Sequence, residues 1–391
     1  MGTELKAAIR DEIEHVFGRK IVSSRDCIQL SEEIYRRTQQ QLNSNTLRRF
    51  FGLVKADYPS SKSTLTILSS YCGFYSIEDL LNRNKLKDGG ELITQDTLVH
   101  YLVSLFCDLP IDEYPDKTFL SLVRKTIRLL NKNAILADKF QSLIAKTKNG
   151  QDFYFEQFVN IDKLNFYYED GLRYYLNEKT TRDARIFANS ILVYKYWLND
   201  NHERLLRHAG EITKEPLSPL PNTHITSRYF AALLFSPSRD EKEINAILIN
   251  IYKYYSIIMD EVSNEHLLYF EYVVSEALIL TGHHTDALYY LTQCDTRKLK
   301  SEQFKHSISQ HNFKLLKAVA LVKTNSWDSA KKIFDEIKPS EFYFLNKKFS
   351  AIMYMYLTNQ FQRKNDKSIE FLDSLVRETG FVKLKLILAE A

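Results

Sequence analysis

Apolar residues return every three or four positions through most of the 391-residue chain, the period of helices that bury one face. Near the start, Cys27, Leu30 and Ile34 share a face of a helix expected over 24 to about 37, with Ser24 as its N-cap. A helix over 4–17 precedes it. A short helix follows, capped by Asn43 or Ser44; its Leu47, Phe50 and Phe51 turn inward and Gly52 ends it. Two more are expected over 63–71, ending near Gly73, and from 76 to about 83. The adjacent Gly89 and Gly90 then mark the strongest boundary in the chain. Beyond them the pattern predicts longer helices over 94–109, 115–131, 134–147, 151–177, 181–199, 201–213, 224–235, 240–259, 263–281, 284–294, 301–323, 326–338, 341–361 and 366–389, the last of which can divide in two. The run EPLSPLP at 215–221 holds three of the eight prolines and must interrupt the helices. An all-α chain is predicted, with a helical head over 1–87, a first body segment over 88–214 and a second over 222–391.

Composition agrees with this pattern. Only 11 glycines and 8 prolines occur, where average usage would supply roughly 47 of the two together. Strand hairpins and phosphate-binding loops need those residues for tight turns and positive φ, so their scarcity favours helices joined by short polar turns. Hydrophobic residues make up 44% of the chain, ample for a large core. Residues 1–87 hold 14 Lys/Arg against 10 Asp/Glu, a surplus equal to the whole chain's net charge of +4. A surplus of this size is common on solvated surfaces, which is the first reading, with an anionic partner at the head as the alternative. Cys27, Cys72, Cys107 and Cys294 lack the close pairing of disulfide or zinc frameworks and read as buried thiols in a reducing compartment. No uninterrupted apolar run resembling a signal peptide opens the chain. The most apolar later stretch, 246–259, is broken by Asn250 and Lys253 and is too short for a bilayer. The expectation is a cytoplasmic protein without a membrane partner.

An internal repeat stands out in the last third. ALILTGHHTDALYYL, beginning at Ala277, aligns with ALVKTNSWDSAKKIF, beginning at Ala320, at a constant offset of 43. The offset matches Ala287 with Ala330, Tyr290 with Ile333, Leu291 with Phe334 and Cys294 with Ile337. Each unit is a long helix, a polar turn and a shorter helix whose small alanine lets it approach the first closely. This arrangement resembles the tetratricopeptide-like helical repeats, although their usual period is about 34. The resemblance implies an α-solenoid of helix pairs, whose curved surface holds a peptide or protein in a groove.

A second resemblance lies in the head. Leu30-Ser31, the segment LNSNTLRRFFG from Leu42 to Gly52, and the later Thr64-Leu65, Leu68-Ser69, Gly73-Phe74 and Ser76-Ile77-Glu78-Asp79-Leu80 resemble the helix-turn-helix of the lambda-repressor-like regulators. The resemblance implies that the short helix enters the major groove of double-stranded DNA. Ser44, Asn45, Arg48 and Arg49 would face outward, where arginine can pair with guanine and asparagine with adenine. Arg36, Arg37, Lys55 and Lys62 would meet phosphates. Two-part regulators of this kind imply a homodimer in which a ligand held by the repeats alters how two heads fit paired half-sites.

Other chemistry is sparse. The cluster Phe153, Tyr154, Phe155, Phe158, Phe166, Tyr167, Tyr168, Tyr174 and Tyr175 is set among carboxylates rather than bases, which favours core packing over stacking on nucleic acid. His283, His284 and Asp286 fall at the repeat's turn and lack the spacing of metal ligands. No nucleophile elbow, phosphate loop, HExxH or dinucleotide motif occurs. These readings predict no enzyme, no metal and no cofactor. The expected function is a DNA-binding regulator or adaptor with a partner-binding body; the alternative is an interaction scaffold that binds no DNA.

Overall fold

The computed structural model describes residues 3–54, 61–73, 95–107, 117–214, 222–236, 240–261, 264–296, 309–362 and 366–389. Among them every regular element is a helix. The chain divides into two compact units, Met1–Asn149 and Gly150–Ala391.

The first unit opens with α1 (Thr3–Phe17), α2 (Ser24–Thr38), α3 (Ser44–Phe51) and α4 (Lys62–Tyr71). The cap of α2 is Ser23, not Ser24. Ser23 Oγ accepts from the Asp26 N–H at 3.2 Å, while Asp26 Oδ2 accepts from the Ser23 N–H at 2.9 Å, a reciprocal box that a Ser-x-x-Asp spacing permits. Gln39, left-handed at φ 55°, ends α2, and Asn43 caps α3 by accepting from the Asn45 N–H at 2.8 Å. Gly52 (φ 79°) closes α3, and the Leu53 N–H returns to the Arg48 carbonyl at 2.9 Å. Ile9 and Ile13 of α1, Leu30 and Ile34 of α2, Leu47 and Phe50 of α3, and Leu68 and Tyr71 of α4 form one buried core.

Then follow α5 (Gln95–Cys107), α6 (Lys117–Leu130) and α7 (Ala134–Ile144), joined by Phe106, whose ring meets Phe119 and Phe140 edge-on at 5.5 Å each. Gly73 links these helices to the head. Its carbonyl accepts from Gln95 Nε2 at 2.8 Å and Asn133 Nδ2 at 3.3 Å. The helix expected over 76–83, the Gly89–Gly90 boundary and the 87/88 division lie outside the described residues, as does the run 215–221.

In the second unit the single helix expected over 151–177 is three pieces: a wide π-helix Gly150–Glu156, a 3-10 turn Ile161–Lys163, and α8 (Tyr167–Glu178). The break has a tertiary cause. Asp162 is turned inward, where its carboxylate accepts from the N–H groups of Lys348 (2.8 Å) and Phe349 (3.1 Å), and its own N–H donates to the Leu345 carbonyl at 2.9 Å. The same engagement delays the helix expected from 341, which starts at Lys347. The stretch expected over 366–389 divides at Gly380 (φ 74°), where a Cβ would lie 2.7 Å from Asn165 Nδ2.

The remaining helices are α9 (Arg182–Leu198), α10 (His202–Thr213), α11 (Thr223–Phe235), α12 (Glu241–Glu261), α13 (Asn264–Leu280), α14 (His284–Thr296), α15 (Gln310–Lys323), α16 (Trp327–Phe334), α17 (Lys347–Phe361), α18 (Asp366–Thr379) and α19 (Val382–Ala389). Alternate members pack in series, α9 on α11, α11 on α13, α13 on α15 and α15 on α17; α19 then packs on both α17 and α9, so the series returns to its start. Helices α10, α12, α14, α16 and α18 each pack against the member they follow. The serial helices are accordingly buried on nearly every side, α9 from Ile186 to Leu198 without a gap.

One turn geometry recurs after α9, α13 and α15. Asp200 (φ 54°), Gly282 (φ 89°) and Asn325 (φ 59°) are left-handed. The next N–H closes each turn: Asn201 to the Tyr196 carbonyl (2.9 Å), His283 to Leu278 (2.8 Å) and Ser326 to Leu321 (2.8 Å). Ala287 and Ala330 are both fully buried, each one turn into the following helix. Leu291 is buried; Tyr290 meets Tyr255 edge-on at 5.0 Å, Phe334 stacks on Tyr354 at 5.1 Å, and Ile333 is half-buried. No described helix is long and apolar enough to cross a membrane.

Candidate functional site

The outward side of α3 is built by what fixes its inward side. Leu47, Phe50 and Phe51 are buried, so the helical period places Asn45 and Arg49 outside and Ser44 and Arg48 at the margin. Two long-range hydrogen bonds hold this helix in place. Ser31 Oγ of α2 donates to the Leu42 carbonyl in the turn ahead of α3 at 2.5 Å. Arg10 of α1 donates through Nε to the Phe50 carbonyl at 2.9 Å, placing a cation at the helix C-terminus. The eight-residue helix is thus clamped at both ends.

The basic residues differ in availability. Arg36 and Arg49 are exposed, and no acidic side chain among the described residues pairs with them. Arg37 is half-buried, ion-paired with Glu33 and lying over the Tyr71 ring at 5.2 Å. Arg48 leans on its own helix, donating to Asn45 Oδ1 at 3.2 Å, and its Nε is buried. Lys62 begins α4, and Lys55 lies outside the described residues. Burial pushes the Cys27 thiol up, with the Asp26 charge adding to the effect. Cys72 and Cys294 are also buried; Cys107 is exposed, contrary to expectation.

The interior of the second unit holds a polar network that sequence reasoning missed. Tyr194 of α9 donates to Glu276 of α13 at 2.8 Å. Arg228 of α11 donates through Nε to the Tyr269 hydroxyl at 3.1 Å. Asn346 donates to the Tyr272 hydroxyl at 2.9 Å, while Asn312 of α15 donates to Asn346 Oδ1 at 3.2 Å and to Ser350 of α17 at 2.7 Å. Each of the five helices α9, α11, α13, α15 and α17 contributes. Burial pushes the Glu276 carboxyl above the usual range, against Arg228 and the Tyr194 and Tyr272 hydroxyls. Burial opposes the charge on Arg228 as well, yet Tyr269 and Glu276 hold its pKa above the ordinary value. For Asp162, burial raises the pKa and the two backbone N–H groups pull the other way. No local spacing ties positions 194, 228, 276, 312 and 346 together, so no motif could have found them.

A second polar cluster joins α8, α9 and α10. Glu169 accepts from Lys195 and Tyr196, and Arg204 donates to the Tyr196 hydroxyl at 3.1 Å. Burial would raise the Glu169 pKa, but these hydrogen bonds outweigh it and keep the carboxylate below its usual range. Each of these groups spends its polarity on another. Tyr154, Phe155, Phe158, Tyr167, Tyr168 and Tyr175 are buried and Phe153, Phe166 and Tyr174 half-buried. His283 and His284 sit at the turn into α14, and among the described residues no three metal-ligating side chains converge. A cavity of about 210 Å³ lies between successive helix pairs, its lining including Leu268, Leu291, Phe313 and Ile333; Lys314 and Glu336 at the same cavity pair at 2.6 Å.

The chain matches no protein-family model, no curated protein and no solved structure.

Proposed function

We propose that this protein is a non-enzymatic regulator whose first unit reads double-stranded DNA with α3 and whose second unit is a tetratricopeptide-like body that receives a protein or peptide partner. The observation that carries the DNA reading is the pairing of an exposed face, Asn45 and Arg49, with a helix fixed at both ends by Ser31 and Arg10. A reading helix must be rigid, because hydrogen bonds to base edges lose discrimination when their donors wander. The stretch α2–turn–α3 also places a small residue, Ser31, beneath the turn, in keeping with the helix-turn-helix resemblance. Arg36 supplies a phosphate contact at the end of α2. Arg37 and Arg48 act chiefly as struts, which narrows the base-reading set to Asn45 and Arg49 with Ser44 beside them.

The thrice-repeated turn at Asp200, Gly282 and Asn325 supports the repeat character of the body. Because the serial helices fill one another's faces, a partner is received by the outer members α16 and α18 rather than between α9 and α17.

Selection of bound duplexes from a random pool, followed by anisotropy titration of the full chain at about 50 and about 200 mM salt, tests the reading. Wild type should bind with a steep salt dependence. Arg49→Ala should weaken binding by about 1–3 kcal/mol and relax one position of the selected site, as expected for a lost bidentate contact. Absence of salt-dependent binding, or an unaltered Arg49→Ala, overturns it and leaves the scaffold reading, which the local engagement of Arg37 and Arg48 favours.

A further inference from the structure

Helix α12 carries two apolar faces. Ile247, Ile251, Tyr255 and Ile258 are buried against the rest of the second unit. On the other side Ile249 (53%), Tyr252 (54%), Ile257 (57%) and Met259 (44%) are exposed, and Tyr289 of α14 (40%) extends them, its ring 6.0 Å from Tyr252. Between Glu243 and Asp260 the helix has one charged residue, Lys253. Such charge depletion across exposed aromatic and aliphatic side chains is the composition of an interface core.

We infer that this face is a two-fold interface between two copies of the chain, with α12 packed antiparallel on α12. Two observations select a second copy as the occupant. Lys242 and Asp260 are both exposed and stand 18 residues apart, five turns at 3.6 residues each, so they lie on one line of the helix with Ile249 and Lys253 close to it. Turning a second helix about the level of Ile251 sets each Lys242 opposite the other copy's Asp260, twice, as an isologous contact requires. A parallel arrangement would set like against like. Neither charge has an ion-pair partner among the described residues. Area is the second observation. Five half-exposed side chains offer roughly 100 Å² each, so a symmetric pair buries about 1,000 Å², the threshold of a specific interface.

The inference does not depend on DNA binding, and its test uses no DNA. The mass of the full chain is measured by sedimentation equilibrium from about 1 to about 50 µM, the range in which an interface of threshold size associates. Wild type should approach twice 45.9 kDa. Ile249→Glu should remain monomeric throughout with an unchanged helical circular dichroism spectrum. Lys242→Asp and Asp260→Lys should each raise the dimer dissociation constant about tenfold, and the double variant Lys242→Asp/Asp260→Lys should recover most of it. A wild-type monomer across the range, a dimer indifferent to Ile249→Glu, or failure of the double exchange to recover association overturns the inference.

Discussion

Asp162→Ala asks how much a helix gains from a cap supplied by distant sequence. Asn346, at the N-cap position of α17, makes no side-chain capping bond. The carboxylate of Asp162 takes that role from 186 residues away, accepting from Lys348 and Phe349. Hydrogen bonds to a charged acceptor contribute about 1.5–3 kcal/mol each, so losing two costs about 3–6 kcal/mol gross. Burial disfavours the Asp162 charge and offsets part of this, so a net loss of about 2–4 kcal/mol is expected. Asn keeps one acceptor without the charge that burial disfavours, so Asp162→Asn should lose much less than Ala, under about 1 kcal/mol. Both tryptophans, Trp197 and Trp327, belong to the second unit, so urea unfolding followed by tryptophan emission reports on that unit alone. An Asp162→Ala midpoint equivalent to less than about 0.5 kcal/mol of change, or equal damage from Ala and Asn, would refute the capping role.

Two further predictions follow from single residues. Gly52→Ala forces a side chain into φ 79° and sets its Cβ 3.1 Å from Arg10 Nη2; a loss of about 1–2 kcal/mol should speed amide exchange over α3 about 5- to 30-fold, and unchanged protection would contradict it. Glu276 has a raised pKa in the folded chain, so its contribution is fully present below its ordinary value of 4.5 and declines as pH rises through the folded pKa. Glu276→Gln, which imitates the protonated acid, should therefore gain on wild type in urea unfolding between about pH 5 and about pH 8, and a wild type that gains instead would reverse the sign.

Much of the head could be read from short-range chemistry. Asn43, Gly52 and the Leu47–Phe50–Phe51 face each act within a few residues, where spacing and conformation are coupled directly. The cap at Ser23 was also within reach, since Asp26 three positions on completes the box. The 43-residue offset was visible because the same turn demands the same small or left-handed residues at Gly282 and Asn325. Its relative at Asp200 escaped because Leu205 stands one turn onward where the other two copies have alanine. The interruption of 151–177 could not be read at all. Nothing local opposes a helix there; Asp162 leaves it for backbone donors that the chain supplies much later. Arg228 and Glu276 are likewise ordinary charged residues in sequence and become interior only through helices that meet in three dimensions.

The return of α19 to α9 governs the order in which the molecule can mature. The first unit ends at Asn149, well before α19 is made. In the second unit, α9 awaits Lys383 of α19, which lies over the Trp197 ring at 5.1 Å, α17 awaits the Phe381 ring against Phe349, and the segment at Asp162 awaits Lys348. A nascent chain emerging from the ribosome therefore carries wet, unsatisfied apolar surface until α19 is released. Truncations that remove α19 should consequently be cleared by quality control rather than accumulate as folded fragments.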